Sequence, residues 1–329
     1  MSTRSPWRVR GMLVVLGLVL IAAFVARIGP SAIAAELSRL GPESLLILVP
    51  YALGTALSAL PWAWLLPKRI RPRTSSVIAS RFAASGANAL LPLFGFAGEP
   101  SRLLWLPRGA HAAGLAAIVV DRLLYNATGG LLLCVGAAVA LTTRLPVLVS
   151  AAAALTAVLT VAFTFLIFHA VSRWGIGGGV QRILHRVLGI SHRDRELGAK
   201  VDDGIRTLLR KPRRAMLAGV LQHSVARVVL SVEVYVALWS LHAPTGLRDA
   251  IVLSTVPVAT SLVASSIPSQ IGVQEGAQAL VCAALGFDPA IGLVLVLLQR
   301  VRQLAFLPLT PLLIAAARAQ SNDEVEPPA

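Results

Sequence analysis

The chain has 329 residues, 56% of them hydrophobic and 14% charged, with a mean hydropathy of +0.75. A soluble domain carries roughly 25% charged residues, so the composition excludes a water-soluble globular protein. The net charge of +15 does not indicate a nucleic-acid partner, because the basic residues fall between apolar runs, where a membrane protein keeps its cytoplasmic positive charge.

Apolar runs cover residues 11–28, 44–66, 123–141, 146–171, 215–241 and 289–317. A helix needs roughly 20 apolar residues to cross the hydrocarbon core, and backbone groups deprived of water force such a run to be helical. The expected fold class is all-α: a polytopic transmembrane helix bundle with two re-entrant or broken-helix segments. A single integral membrane domain spans 1–317, with a first half over about 1–172, a basic cytoplasmic loop over 173–214 and a second half over 215–317. The polar tail at 318–329 is expected to be disordered.

Arg4, Arg8 and Arg10 precede the first run and place the N-terminus inside. No small-residue cleavage site closes that run, so it reads as an uncleaved first span. The second run returns to the cytoplasm at Lys68, Arg69, Arg71 and Arg73. Residues 75–98 contain Arg81, Asn88, Pro92, Gly95 and Gly98. They are apolar enough to enter the bilayer and too broken to cross it as one helix, which predicts a re-entrant hairpin from the cytoplasmic side. Arg102, Arg108 and His111 hold the next loop inside; a helix from about 114 to 141 then leads out, and 146–171 leads back.

The loop at 173–214 holds eleven Lys or Arg against four Asp or Glu. Within it Val180, Ile183, Leu184, Val187 and Leu188 recur at helical spacing. Residues 180–190 therefore read either as an amphipathic helix lying on anionic inner-leaflet lipids or as a simple topology anchor. Residues 215–241 cross outward. The stretch 248–286, with Pro257, Pro268 and Gly272, is a second broken segment, entering from outside. Residues 289–317 return, which makes the chain a multi-pass protein of the cell inner membrane with both termini cytoplasmic. Cys134 and Cys282 lie inside apolar runs and read as small buried hydrophobes.

Two passages match. In the first, Asn88 and Pro92 lead through Gly95 and Gly98 to Glu99; in the second, Pro268 leads through Gly272 to Glu275. Proline precedes glutamate by seven positions in both, and an arginine inside an apolar run follows, Arg122 after 23 residues and Arg300 after 25. Entry from opposite faces is what an inverted-topology repeat requires, and discontinuous helices at such a repeat interface point to a transporter binding site.

Charges inside spanning helices cost roughly 2.5–3.5 kcal/mol each on insertion scales. The chain keeps eight: Glu99, Asp121, Arg122, Arg227, Glu233, Glu275, Arg300 and Arg302, balanced as four acids and four bases. The balance predicts internal pairs. Asp121 and Arg122 are adjacent and need different partners. Of Arg300 and Arg302, about 200° apart on a helix, one is expected to face the site while the other snorkels. Cavity-facing arginines suit phosphate. No zinc-ligand spacing, Walker loop or nucleophile elbow is recognisable, so no metal or cofactor is expected.

Asn88, Pro92, Gly98, Glu99, Arg102 and the run Val120, Asp121, Arg122, Leu123 resemble the first signature of the flippase-like membrane domain found in the transmembrane region of lysylphosphatidylglycerol synthases. Pro268, Ile271, Gly272, Glu275, Gly276, Leu285, Gly286 and Arg300 resemble the second. Asp121 stands where the family often has glutamate, and Phe94 and Phe96 interrupt the usual glycine-rich approach to Glu99. The resemblance covers most of the chain and implies translocation of a lipid or lipid-linked headgroup between leaflets. The partner would be a membrane phospholipid or a polyprenyl- or hopanoid-type lipid. It also implies the translocase part alone, without the lysyl-transferring domain, and hence not an enzyme. Stand-alone relatives include a hopanoid-associated group. In this reading Glu99 and Glu275 are opposed gates and Arg122 and Arg300 neutralise an anionic headgroup. The alternatives are an integral membrane lipid-modifying transferase using Glu99 or Glu275 as a base, and a scaffold for lipid-biosynthesis enzymes docking through 180–190.

Overall fold

A computed structural model describes residues 30–90, 98–142, 146–175, 194–210, 213–243, 246–263, 270, 272–306, 308–313 and 315. The expected first span, the amphipathic stretch at 180–190, the tail, and Pro92 and Pro268 of the two breaks lie outside these residues.

The described residues are helical, with no strand among them. In chain order they form α1 (Pro30–Ser38), α2 (Leu48–Leu65, entered through a 3-10 turn at Pro42–Ile47), α3 (Thr74–Leu90), a 3-10 helix at Glu99–Trp105, α4 (His111–Ala140), α5 (Val147–Trp174), α6 (Asp194–Leu209), α7 (Arg213–Ser240), α8 (Leu247–Val263), α9 (Val273–Ala284) and α10 (Pro289–Phe306). Among the described residues four segments are long and apolar enough to cross a membrane: Pro42–Leu65, His111–Ala140, Val147–Arg173 and Arg214–Ser240. The chain is a multi-pass membrane protein.

Neither broken segment reaches that length. α3 and α8 have 17 residues each, about 25 Å at the helical rise, short of the roughly 30 Å hydrocarbon core. Each folds back on itself. After the first break the Gly98 N–H donates to Asn88 Oδ1 at 2.7 Å, returning the chain against the last turns of α3. Only a glycine permits this approach, since a Cβ on Gly98 would stand 2.0 Å from the Ala84 carbonyl oxygen. Gly98→Ala is expected to cost about 1–3 kcal/mol through overpacking, readable as a lower melting temperature in detergent. After the second break Gly272, at φ 82°, opens α9, a conformation that favours glycine. Its N–H donates to Glu275 Oε2 at 2.8 Å, and the Gln278 amide donates back to the Leu253 carbonyl of α8 at 3.3 Å.

The halves thus share one plan: a long helix (α2, α7), a helix ending in a break (α3, α8), a short helix opened by a glutamate turn, and a helix carrying the partner arginine (α4, α10). The two long helices pack on each other at the centre, α8 packs on α4 and α3 on α10, so the halves interlock. Each half has its own apolar core. One joins Trp62, Leu66, Val77, Val120 and Leu123; the other joins Leu238, Leu253, Cys282, Val294 and Leu295. α5 leans mainly on α4 and exposes Phe163, Phe165 and Leu166, an apolar surface suited to lipid.

Two expectations are corrected. In the described part of the basic loop, α6 sends Val201, Ile205 and Leu208 into the first core beside Ala116 and Val120. Ile205 is fully buried, so Ile205→Ala is expected to cost about 2–5 kcal/mol and to speed proteolysis across 194–210. The run at 289–317 is not described as one helix: α10 ends at Phe306 and a further helical segment follows at 309–313. Pro308, just past the end of α10, has no N–H with which to continue a helix. Cys134 is exposed on α4, and only Cys282 is buried.

Candidate functional site

The ionic residues gather where the halves meet. Glu99 accepts from three guanidiniums: Arg81 Nη1 at 2.9 Å and Arg122 Nη1 at 3.3 Å on Oε1, and Arg102 Nη1 at 3.2 Å on Oε2. Arg102 also reaches Asp121 Oδ2 at 3.1 Å, and the other Asp121 oxygen lies 3.0 Å from His223 Nε2 of α7. The adjacent Asp121 and Arg122 do take different partners, as one turn of helix requires.

In the second half Arg300 grips Glu275 Oε1 through Nε at 2.9 Å and Nη2 at 2.5 Å. Glu275 is 3% exposed and Glu99 2%. Arg302 pairs with Glu233 of α7. The repeat read as Glu99 to Arg122 and Glu275 to Arg300 is therefore a pair of ion pairs in space. It is asymmetric: three arginines converge on Glu99, whereas Glu275 shares its charge between Arg300 and the Gly272 N–H.

Aromatic rings organise the remaining faces. Tyr125 lies beneath three guanidinium groups, Arg227 at 4.1 Å, Arg122 at 5.4 Å and Arg81 at 5.7 Å from its centroid. Arg102 stacks over Trp62 at 4.3 Å and Arg302 over Tyr51 at 4.3 Å. These cation–π contacts hold the guanidinium planes without consuming all their N–H donors. Arg227 is held by neutral groups, Thr128 Oγ1 at 3.0 Å and the Tyr125 carbonyl at 2.8 Å. Among the described residues no carboxylate pairs with it.

A cavity of about 410 Å³ lies between the halves, walled by residues of α2, α3, α4, α7, α8, α9 and α10. Its charged lining is Arg81, Arg227, Arg300, Arg302 and Glu233; its neutral polar lining includes Gln270, Gln274 and Gln299. The family model described as the lysylphosphatidylglycerol synthase TM region matches residues 11–310. The chain belongs to this family. No curated protein and no solved structure gives a match.

Membership in the lysylphosphatidylglycerol synthase TM family sets the cavity in a membrane-lipid context. Of the residues singled out from sequence, Asn88, Arg227, Glu233, Arg300 and Arg302 line the cavity. Glu99, Arg102, Asp121, Gly272 and Glu275 are buried, and Arg122 is half-buried beside Tyr125. Pro92 and Pro268 lie outside the described residues. Glu99 and Glu275, unlike Glu233, are not among the cavity's lining residues. They stand behind its arginines and orient them, a correction to the picture of two carboxylates facing a shared interior.

The charge balance is also corrected. Arg81, set aside in the broken segment, lines the cavity, and Arg102, assigned to a cytoplasmic loop, is 0% exposed. Among the described residues the interior set is six guanidiniums against four carboxylates. Arg300 and Arg302 both line the cavity, so neither snorkels. Sequence reasoning also missed Tyr125, His223 and the three glutamines. Tyr125 was findable in principle, three positions after Arg122 on the same helical face.

Proposed function

We propose that the protein moves an anionic lipid between leaflets by taking its headgroup into the arginine-walled cavity while the acyl chains stay in the bilayer. The observation that carries this reading is the lining: four guanidiniums and one carboxylate around 410 Å³, at the junction of two interlocked helix–break–helix halves. That volume falls in the usual range for a small-molecule site, roughly 300–1,000 Å³. Guanidinium forks match phosphate oxygens two at a time. Alternation of the two halves about the cavity, with the hairpins entering from opposite faces of the inner membrane, would expose it to each leaflet in turn. The basic segments at 68–73 and 173–214 then face the cytoplasm.

A carrier fits better than a lipid-modifying enzyme. Glu99, Glu275 and Glu233 are each held by arginine, so each is committed as a counter-charge and poorly placed to act as a base. The test is reconstitution of the full chain into liposomes carrying a trace of headgroup- or chain-labelled lipid. An anionic phospholipid should become accessible to an external quencher or modifying reagent faster than in protein-free vesicles, and its mass should be unchanged. Movement no faster than in empty vesicles for every anionic headgroup, or a product of new mass, overturns the proposal.

A further inference from the structure

The interior charges do not sum to zero. Arg81, Arg102, Arg122, Arg227, Arg300 and Arg302 face Glu99, Asp121, Glu233 and Glu275, an excess of two positive charges. The chain offers no further acid to offset it. Of its fifteen Asp and Glu, three lie in the tail at 323–326 and eight lie on α1, on the turn at Pro42–Ile47, on α6, or at the starts of α8 and α10. Asp249 and Asp288 at those starts are engaged as caps, accepting from Gly246 N–H at 3.0 Å and Ala290 N–H at 2.8 Å. The segments between 30 and 315 that are not described contain no Asp or Glu at all.

Buried charge without a counter-charge is strongly destabilising, so an uncompensated pair of guanidiniums is a demand for an anion. The excess opens on the cavity. Four of the six arginines line it, and one of them, Arg227, 7% exposed, is held only by neutral acceptors among the described residues. Gln270, Gln274 and Gln299 add uncharged amides to the same lining.

We infer that the anion this cavity accepts carries two negative charges on a terminal phosphate, the headgroup of a phosphomonoester lipid. This rests on the reading of the cavity as a headgroup site and narrows it. A phosphodiester such as phosphatidylglycerol carries one negative charge and leaves the interior a charge short. A phosphomonoester dianion closes the balance and offers three terminal oxygens to converging forks.

The test uses the full chain in detergent with two probes of identical acyl chains, dioleoyl phosphatidic acid and dioleoyl phosphatidylglycerol. At about pH 8 the phosphomonoester is a dianion, its second ionisation lying near 6, and it is expected to bind about tenfold more tightly, some 1.4 kcal/mol. At about pH 5 it is a monoanion, and the ratio of the two affinities should fall toward one. The phosphatidylglycerol arm reports any titration of the protein itself, including His223 behind Asp121 and Tyr125 beneath the arginines. Arg227→Gln should abolish the preference, but the pH dependence of the ratio in the unaltered protein decides the matter without a variant.

Equal affinities at pH 8, or a ratio that ignores pH, overturn the inference. If both lipids then still cross the membrane equally well, the carrier reading stands without it; if neither lipid binds nor moves, both fall. Inorganic phosphate should compete only weakly. Competition at the same concentration as phosphatidic acid would overturn the lipid as the source of the phosphate.

Discussion

Glu99→Gln is expected to cost about 3–5 kcal/mol of stability, the penalty for removing one partner from a buried ionic cluster. The carboxylate is 2% exposed and is shared by Arg81, Arg102 and Arg122. Neutralising it raises the interior excess from two positive charges to three and leaves Arg102, at 0% exposure, paired with Asp121. A glutamine keeps the shape and one acceptor oxygen, so the loss is electrostatic rather than steric. Thermal unfolding in detergent checks it.

The double variant Glu99→Gln with Arg81→Gln separates charge from geometry. If imbalance is the cause, the second change relieves part of the first, and the pair is more stable than the single variant. A single variant that melts with the unaltered protein, or a double variant that loses the sum of both, would show that Glu99 is not the counter-charge of this cluster. Transport lost in Glu99→Gln alone would not identify a gate, because the same change removes the counter-charge of Arg81, which lines the cavity. Binding of an anionic lipid, not flux alone, therefore has to be followed.

The repeat was legible because its parts are costly. Proline and glycine in an apolar run, followed by a carboxylate and then a guanidinium in a spanning helix, are each penalised in lipid, so their recurrence at matched spacing stands out against a background of leucine and alanine. The pairings Glu99 with Arg122 and Glu275 with Arg300 follow the spacing that marked them. Which side of a pair faces the cavity has no such signature. Both members are equally expensive to bury, and only packing decides that the arginines look inward and the glutamates stand behind.

Arg102 was misread because a charged residue just past a break looks like a loop anchor, whereas the 3-10 helix at Glu99–Trp105 turns it into the core against Trp62. Gln270, Gln274 and Gln299 gave no signal because a neutral amide in a helix costs little and has no fixed spacing. α6 carries Val201, Ile205 and Leu208 at helical intervals among charges, the same pattern as 180–190, and periodicity alone does not distinguish a face that meets protein from one that meets lipid.

Arg300→Gln should behave in the opposite way to Glu99→Gln: a modest loss of stability and a large loss of lipid movement. Its partner Glu275 sits in the first turn of α9 and keeps the Gly272 N–H at 2.8 Å, a position where the helix N-terminus itself stabilises negative charge by about 0.3–1 kcal/mol. The fold therefore retains a neutralising group when the arginine goes. The cavity does not: it loses one of four guanidiniums, and the carboxylate behind it is left as a repulsive charge facing any incoming anion. Translocation of an anionic lipid in proteoliposomes is expected to fall by about tenfold or more, the equivalent of one charge-assisted hydrogen-bond pair. Arg300→Lys keeps the charge but not the fork that spans Glu275 through Nε and Nη2, so it should recover part of the rate and little of the headgroup discrimination. Unaltered movement in Arg300→Gln, with the variant folded, would mean that the headgroup does not pass through this cavity.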